Sequence, residues 1–203
     1  LEMVQRHYEP IQPGVAPVRP NRAEPGQRGE KRVVVEGPGE TTYLTLAYHA
    51  PAVQDRDFLP LLVLDSLLTG PSNLNMFGSG ISNRTSRLYQ ALVEKELAVS
   101  ISGGIQTTID PFLYPITAIV HPKSTVEKLT SAIEDEIHRL QDTPPGVDEL
   151  QRAVKQARAL FAYGSERISN QAFWLGNAEM FDTYHWFLSY LDRLAVVTPV
   201  DIQ

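Results

Sequence analysis

Five histidines, His7, His49, His121, His138 and His185, are the side chains best suited to bind a metal or move a proton near neutral pH, so their spacing decides which chemistry is open to the chain. No two stand three or four residues apart. Neither His-x-x-Glu-His nor His-Glu-x-x-His occurs, which excludes a zinc site built on one helix. Glu134, Asp135 and His138 fall on neighbouring helical turns with ligand chemistry, but they lie opposite an apolar stripe, where charge pairing on a solvated face accounts for them. His121 precedes Pro122 and reads as a turn residue, and His185 beside Trp186 reads as packing. The serines form no Gly-x-Ser-x-Gly elbow and have no partner histidine or acid that spacing identifies. Without cysteine there is no thiol nucleophile, disulfide or thiolate metal site.

One loop invites a binding role. GPSNLNMFGSG places Gly70, Gly78 and Gly80 ahead of a helix, as a phosphate cradle would, but it lacks the lysine of a Walker loop and reads first as a connector.

Composition narrows the classes further. The 203 residues carry 24 acidic and 18 basic side chains, a net charge of -6 and a pI near 5.4. No basic stripe is available to neutralise phosphates, so nucleic acid is not an expected partner. No stretch is long and apolar enough to span a bilayer, so no membrane partner is expected, and the first thirty residues have no signal-peptide core. The cellular address is not legible.

Both ends read as cut. In LEMVQRHYEPI, Val4, Tyr8 and Ile11 have helical spacing, as in the last turns of a preceding helix; in VTPVDIQ, Thr198 and Pro199 are a helix-start signal with almost no helix after it. The chain is therefore expected to be a fragment of a longer protein. Prolines and glycines interleaved with charge make Pro10 to Glu30 an extended linker. The expected division is residues 1–30, helix end and linker, and residues 31–203, the folded body.

The elements that must position any site follow from periodicity. KRVVVE (Lys31–Glu36) predicts a strand, GPGE a turn, and Thr41 to His49 a second strand with Leu44, Leu46 and Tyr48 on one face. Residues 54–69 predict an apolar helix that tolerates Pro60 only in its first turns and stops at Gly70 and Pro71. In SNRTSRLYQALVEKELAVSIS (Ser82–Ser102), Leu88, Leu92 and Val93 follow helical spacing, with Ser82 or Thr85 as cap. From Ala98 the pattern alternates through Val99, Ile101, Gly103 and Ile105, so a helix feeds a strand.

FLYPITAIV (Phe112–Val120) predicts the next strand, whose Pro115 belongs at an edge or bulge. Four helices follow. The first has a Ser124/Glu127 capping box and a stripe of Val126, Leu129, Ile133, Ile137 and Leu140, worth roughly 8 to 15 kcal/mol before entropy is subtracted. The second turns Leu150, Val154, Ala157 and Phe161 inward, and two aromatic-rich helices span residues 169–181 and 184–194. Short turns within each strand pair imply antiparallel pairing. The fold class is α+β, one antiparallel sheet packed on a layer of helices.

The order of several stretches carries a resemblance. SRLYQALVEKELAVSIS, preceded by DFLPLLVLDSLLTG and a glycine-containing loop, together with AYHAP (Ala47–Pro51), GVDELQRAVKQARALFAYG (Gly146–Gly164), SERISNQAFWLG (Ser165–Gly176) and VTPVDIQ, resembles the second, carboxyl-side half of the pitrilysin/insulinase family of zinc metallopeptidases, the inverted zincins. The resemblance runs through nearly the whole chain. It implies two similar α+β halves, in one chain or two, closing around a peptide. The amino-terminal half, outside this sequence, would carry the zinc on His-x-x-Glu-His, and this half would hold no metal of its own.

The resemblance also implies an arginine and a tyrosine that steady the substrate carbonyl. At those positions this chain has Val93 and Val99, with a one-residue deletion around Glu96, and valine donates no hydrogen bond. Arg87 and Tyr89 are the nearby polar candidates for substrate contact, although Arg87 is also placed to pair with an acid at the helix surface. The expected function is a noncatalytic domain closing a peptide chamber over zinc in the homologous metal-bearing half, in the same chain or a partner subunit. The alternatives are an inactive family member acting as scaffold or peptide-binding subunit, and an unrelated small-molecule-binding α+β domain using the Gly70–Gly80 loop.

Overall fold

The computed structural model describes residues 1–15, 26–71 and 84–203, in two compact units, Leu1–Gly39 and Glu40–Gln203. The first unit contains helix α1 (Glu2–Tyr8), none of whose residues is buried. The expected strand at Lys31–Glu36 does not form, and Val33, Val34 and Val35 are at least 80% exposed. Strand propensity is realised only against a cross-strand neighbour, and these valines have none to pack on.

The second unit is built on a three-stranded antiparallel sheet of β1 (Tyr43–Ala50), β2 (Ala98–Gly103) and β3 (Phe112–Val120), in the order β1-β3-β2. The antiparallel sheet packed on helices is as expected, with three strands in place of four. Pro115 is a correction. It lies in the central strand, opposite Ala47, and not at an edge. Gly104 donates its N–H to the Pro115 carbonyl, but proline has no N–H to return, and β2 ends one residue earlier at Gly103. The missing donor thus falls where the β2 ladder stops.

One face of the sheet carries Tyr114, Ile116, Ala118 and Val120 from β3 with Leu44 and Leu46 from β1, and it receives the helices. Helix α2 (Phe58–Leu68) is apolar on nearly every side and deeply buried. Pro60 occupies its first turn, where an N–H would have no intrahelical acceptor. In α3 (Val126–Asp142) Leu129, Ile133 and Leu140 are buried as the stripe requires. Its cap is Thr125, whose hydroxyl accepts from the Lys128 N–H, so the helix starts one residue later than the Ser124/Glu127 box predicted.

In α4 (Val147–Gly164) Leu150 and Ala157 are buried as expected, joined by Ala153 and Leu160, while Val154 and Phe161 are half-buried. The aromatic helices are α5 (Ile168–Phe181) and α6 (Tyr184–Ala195). Trp174 stacks on Phe187, and Trp186 on Tyr190, across and along them. A final turn, α7 (Pro199–Ile202), carries the expected Thr198 cap, reciprocated by Asp201.

The Arg87–Glu96 region departs from a regular helix. It passes into a π-helical turn at Tyr89–Val93 and leaves it through Glu96 at φ 54°. Ser82, Gly78 and Gly80 lie outside the described residues.

Candidate functional site

Strand parity divides the sheet into two faces. The Thr42 carbonyl accepts from the Val120 N–H, and Leu44, Leu46 and Tyr48 register with Ala118, Ile116 and Tyr114 on the helix side. The other parity of β1, Tyr43, Thr45, Ala47 and His49, is exposed. Beside it on the same face lie Leu113, Pro115, Thr117 and Ile119 of β3, then Ser100 and Ser102 of β2. The Thr45 and Thr117 hydroxyls meet at 3.2 Å across the ladder.

None of these side chains is Lys, Arg, Asp or Glu, although 21% of the chain is charged. A one-sided antiparallel sheet usually shows a polar, charged face to water, and this one shows hydroxyl and apolar groups instead. Such a surface can bind by shape and hydroxyl hydrogen bonds. Apart from His49 it offers no acid, base or nucleophile.

Beneath the sheet, a polar pin joins it to α2. Asp65 has no exposure, and its Oδ1 accepts from the Tyr114 phenol at 2.8 Å and the Thr69 hydroxyl at 2.7 Å. Burial, and then the Asp65 charge, pushes the Tyr114 phenol well above its ordinary range. A Cβ on Gly103 would lie 2.6 Å from Thr69 Cγ2 and 2.8 Å from Asp65 Oδ1, which fixes glycine at the end of β2.

The residues singled out from the sequence are dispersed. Arg87 forms a two-pronged pair with Glu149 of α4, Nε to Oε1 at 2.8 Å and Nη2 to Oε2 at 2.7 Å. The shared hydrogen bonds raise the arginine and hold the glutamate below the usual carboxylate range. Tyr89 and Val93 share the π-helical turn, half-buried against the core. Val99 stands at the β-bulge that shifts the β2 register between Ala98 and Ser100, and it is 53% exposed. Gly70 follows α2 with φ 110°.

Among the described residues no group of three His, Cys, Asp or Glu is placed to hold a metal, and Glu134, Asp135 and His138 lie on the exposed side of α3. The donor set does not fit a zinc ion. No helix among them is long and apolar enough to cross a membrane. The open face was readable in part, because the alternation that puts Leu44, Leu46 and Tyr48 inward puts Tyr43, Thr45, Ala47 and His49 outward.

The family profile described as Peptidase M16 inactive domain matches residues 1–157. The chain belongs to the M16 peptidase family. This M16 chain superposes on a protease from Helicobacter pylori with TM-score 0.83 and 21% identity, over 99% of this chain and 46% of that one. It also superposes on a peptidase M16 inactive domain from Pseudomonas fluorescens (TM-score 0.61, 20% identity, 83% of this chain and 37% of that one). A third likeness is to the periplasmic protease PqqL from Escherichia coli (TM-score 0.59, 13% identity, 82% and 17%). These likenesses share the fold, and the chain spans less than half of each of the three. Comparison with curated protein sequences finds no match. The family is one of zinc proteases, and the part matched here is its inactive domain.

Proposed function

We propose that this M16 domain is the noncatalytic, carboxyl-side half of a zinc endopeptidase, closing a peptide chamber over a metal carried by the homologous amino-terminal half, in the same chain or a partner subunit. The observation that carries the reading is the charge-free open face of the sheet, a surface suited to lining a cavity. In this reading residues 1–30 are the end of the preceding helix and an interdomain linker, and residues 31–203 form the wall. The domain's contribution is closure, which excludes water and fixes the peptide against a reactive centre held elsewhere.

The test is paired. Purified residues 1–203 bind no stoichiometric zinc and cleave no peptide, while the longer protein cleaves peptide and loses that activity to a chelator. Filling the open face with Thr117→Trp then lowers kcat/KM in the longer protein while its melting temperature is kept. Stoichiometric zinc on the chain alone, or unchanged kcat/KM in Thr117→Trp, overturns the reading.

A second reading, an inactive family member serving as scaffold or peptide-binding subunit, draws support from Val93 and Val99 at the substrate-steadying positions. An intact His-x-x-Glu-His upstream favours the enzyme, and its loss favours the scaffold.

A further inference from the structure

We infer that His49 sets the charge preference of the open face: with its ring protonated the face selects a peptide carrying an acidic side chain, and with its ring neutral the face has no charge preference. The inference rests on the peptide-chamber reading and adds to it a substrate chemistry and a dependence on pH.

His49 is the last outward residue of β1, exposed and in register with Leu113 of β3. Its neighbours on that face are Ala47 along β1 and Leu113 and Pro115 across the ladder, and none of the three can take a charge. The remaining polar side chains of the face are hydroxyls. Hydroxyls stay uncharged over the interval, about pH 5 to 8, in which an imidazole gains or loses its proton. His49 is therefore the single group through which pH in that interval alters the charge of this surface.

The ring is also unengaged. Among the described residues it has no hydrogen-bond or ion-pair partner. The charged side chains nearest to it along the chain and across the ladder are Asp55, Arg56 and Asp57 after β1 and Asp110 ahead of β3, while Tyr48 lies on the helix side. The Asp55 carboxylate accepts from the Asp57 N–H, Arg56 pairs with Asp57 at 3.3 Å, and no ion pair joins Asp110 to His49. An imidazolium at this position thus has no counter-charge in the chain, and a peptide carboxylate can supply one. Of the 24 acidic side chains, none stands on the open face to repel it. Closure of the chamber would exclude water and strengthen the pair.

The experiment uses the whole 203-residue chain and two end-blocked peptides, Thr-Val-Glu-Val-Thr and Thr-Val-Gln-Val-Thr. Each is titrated at about pH 5.5 and about pH 8 and followed through the imidazole resonances, with His49→Gln identifying that of His49. The glutamate peptide should bind about three- to fivefold more tightly than the glutamine peptide at the lower pH, and equally at the higher. By linkage it should also move the His49 titration to higher pH, which a histidine with a merely structural role would not show. His49→Gln should abolish the preference at both pH values. His49→Lys, with a fixed charge, should make it permanent at both.

Equal binding of the two peptides at the lower pH, a preference that persists in His49→Gln, or no binding of either peptide overturns the inference. Cleavage separates it from the reading on which it rests. A longer protein that cleaves both peptides with no pH-dependent preference removes the role of His49 and keeps the chamber. A chain that shows the preference while the longer protein cleaves nothing keeps the role of His49 and removes the enzyme.

Discussion

The phenol of Tyr114 donates a 2.8 Å hydrogen bond to Oδ1 of Asp65, a carboxylate with no solvent exposure in the last turn of α2. The bond ties the central strand to the most deeply buried helix. A buried carboxylate is tolerated only with donors around it, so taking one away leaves the charge short of a hydrogen bond, with the Thr69 hydroxyl still donating. Tyr114→Phe should cost about 1.5–3 kcal/mol, because it deletes the donor and keeps the charge. Urea denaturation will show this as a lowered midpoint with an unchanged slope.

Gly103 meets the same pin from β2. An added Cβ would stand 2.6 Å from Thr69 Cγ2 and 2.8 Å from Asp65 Oδ1, closer than real contacts allow. Gly103→Ala should therefore destabilise by about 1–3 kcal/mol. Thr69→Ser removes the nearer carbon and keeps the hydroxyl. In a double-mutant cycle the pair should recover at least about 0.5 kcal/mol of the loss, and strict additivity would place the strain elsewhere.

Glu96 holds φ 54°, a left-handed conformation that costs a side-chain-bearing residue about 1–2 kcal/mol and glycine little. Its pair with Lys123 at 2.9 Å is exposed on both sides and returns less than about 1 kcal/mol. Glu96→Gly should then raise the melting temperature by about 2–4 °C. Lys123→Ala serves as the control and should change it little. A fall in Glu96→Gly would show that the ion pair outweighs the backbone.

The limits of sequence reading are visible at particular residues. The α3 stripe, the first-turn Pro60 and the Thr198 cap were legible because each depends on neighbours within a few residues. Lys31–Glu36 misled because strand formation depends on a partner that composition does not specify. Pro115 misled because the penalty for proline applies only where its missing N–H faces a ladder, and here β2 has already ended. In β3 both parities are apolar apart from Thr117 and the Tyr114 phenol, so the open face could not be told from the buried one. The Val99 bulge turned an expected inward alternation outward at one residue.

Arg87 and Glu149 give the stability a defined response to acid. Glu149 is held below its ordinary value of 4.5, chiefly by the hydrogen bond from Arg87, so its contribution is complete above that value and disappears as pH falls through the lower folded value. Arg87 is raised above its ordinary value, chiefly by the hydrogen bond to Glu149, so its contribution is fully present across the acid and neutral range and is lost only in strong base. Both side chains are about one quarter exposed. Glu149→Gln should cost about 1–2 kcal/mol at pH 7 and flatten the dependence of stability on pH below about 4.5. Arg87→Lys keeps the charge and loses the two-pronged geometry, so it should recover only part of the pair. Parallel pH profiles for wild type and Glu149→Gln would exclude this role.

Val93 and Val99 stand where the resemblance to M16 peptidases implies an arginine and a tyrosine that steady the substrate carbonyl, and the structure gives them unequal surroundings. Val99, 53% exposed at the bulge, should accept tyrosine within about 0.5 kcal/mol. Val93 is half-buried against the core, so Val93→Arg should cost about 1–2 kcal/mol as the longer side chain extends its charge to water. Donors to a developing oxyanion are worth about a hundredfold or more in rate when correctly placed. In the longer protein, therefore, Val93→Arg with Val99→Tyr should raise kcat for peptide cleavage by at least about tenfold while KM changes little, a pattern that simple stabilisation of the fold would not produce. An unchanged kcat in a variant that melts cooperatively would mean that neither position faces the scissile bond.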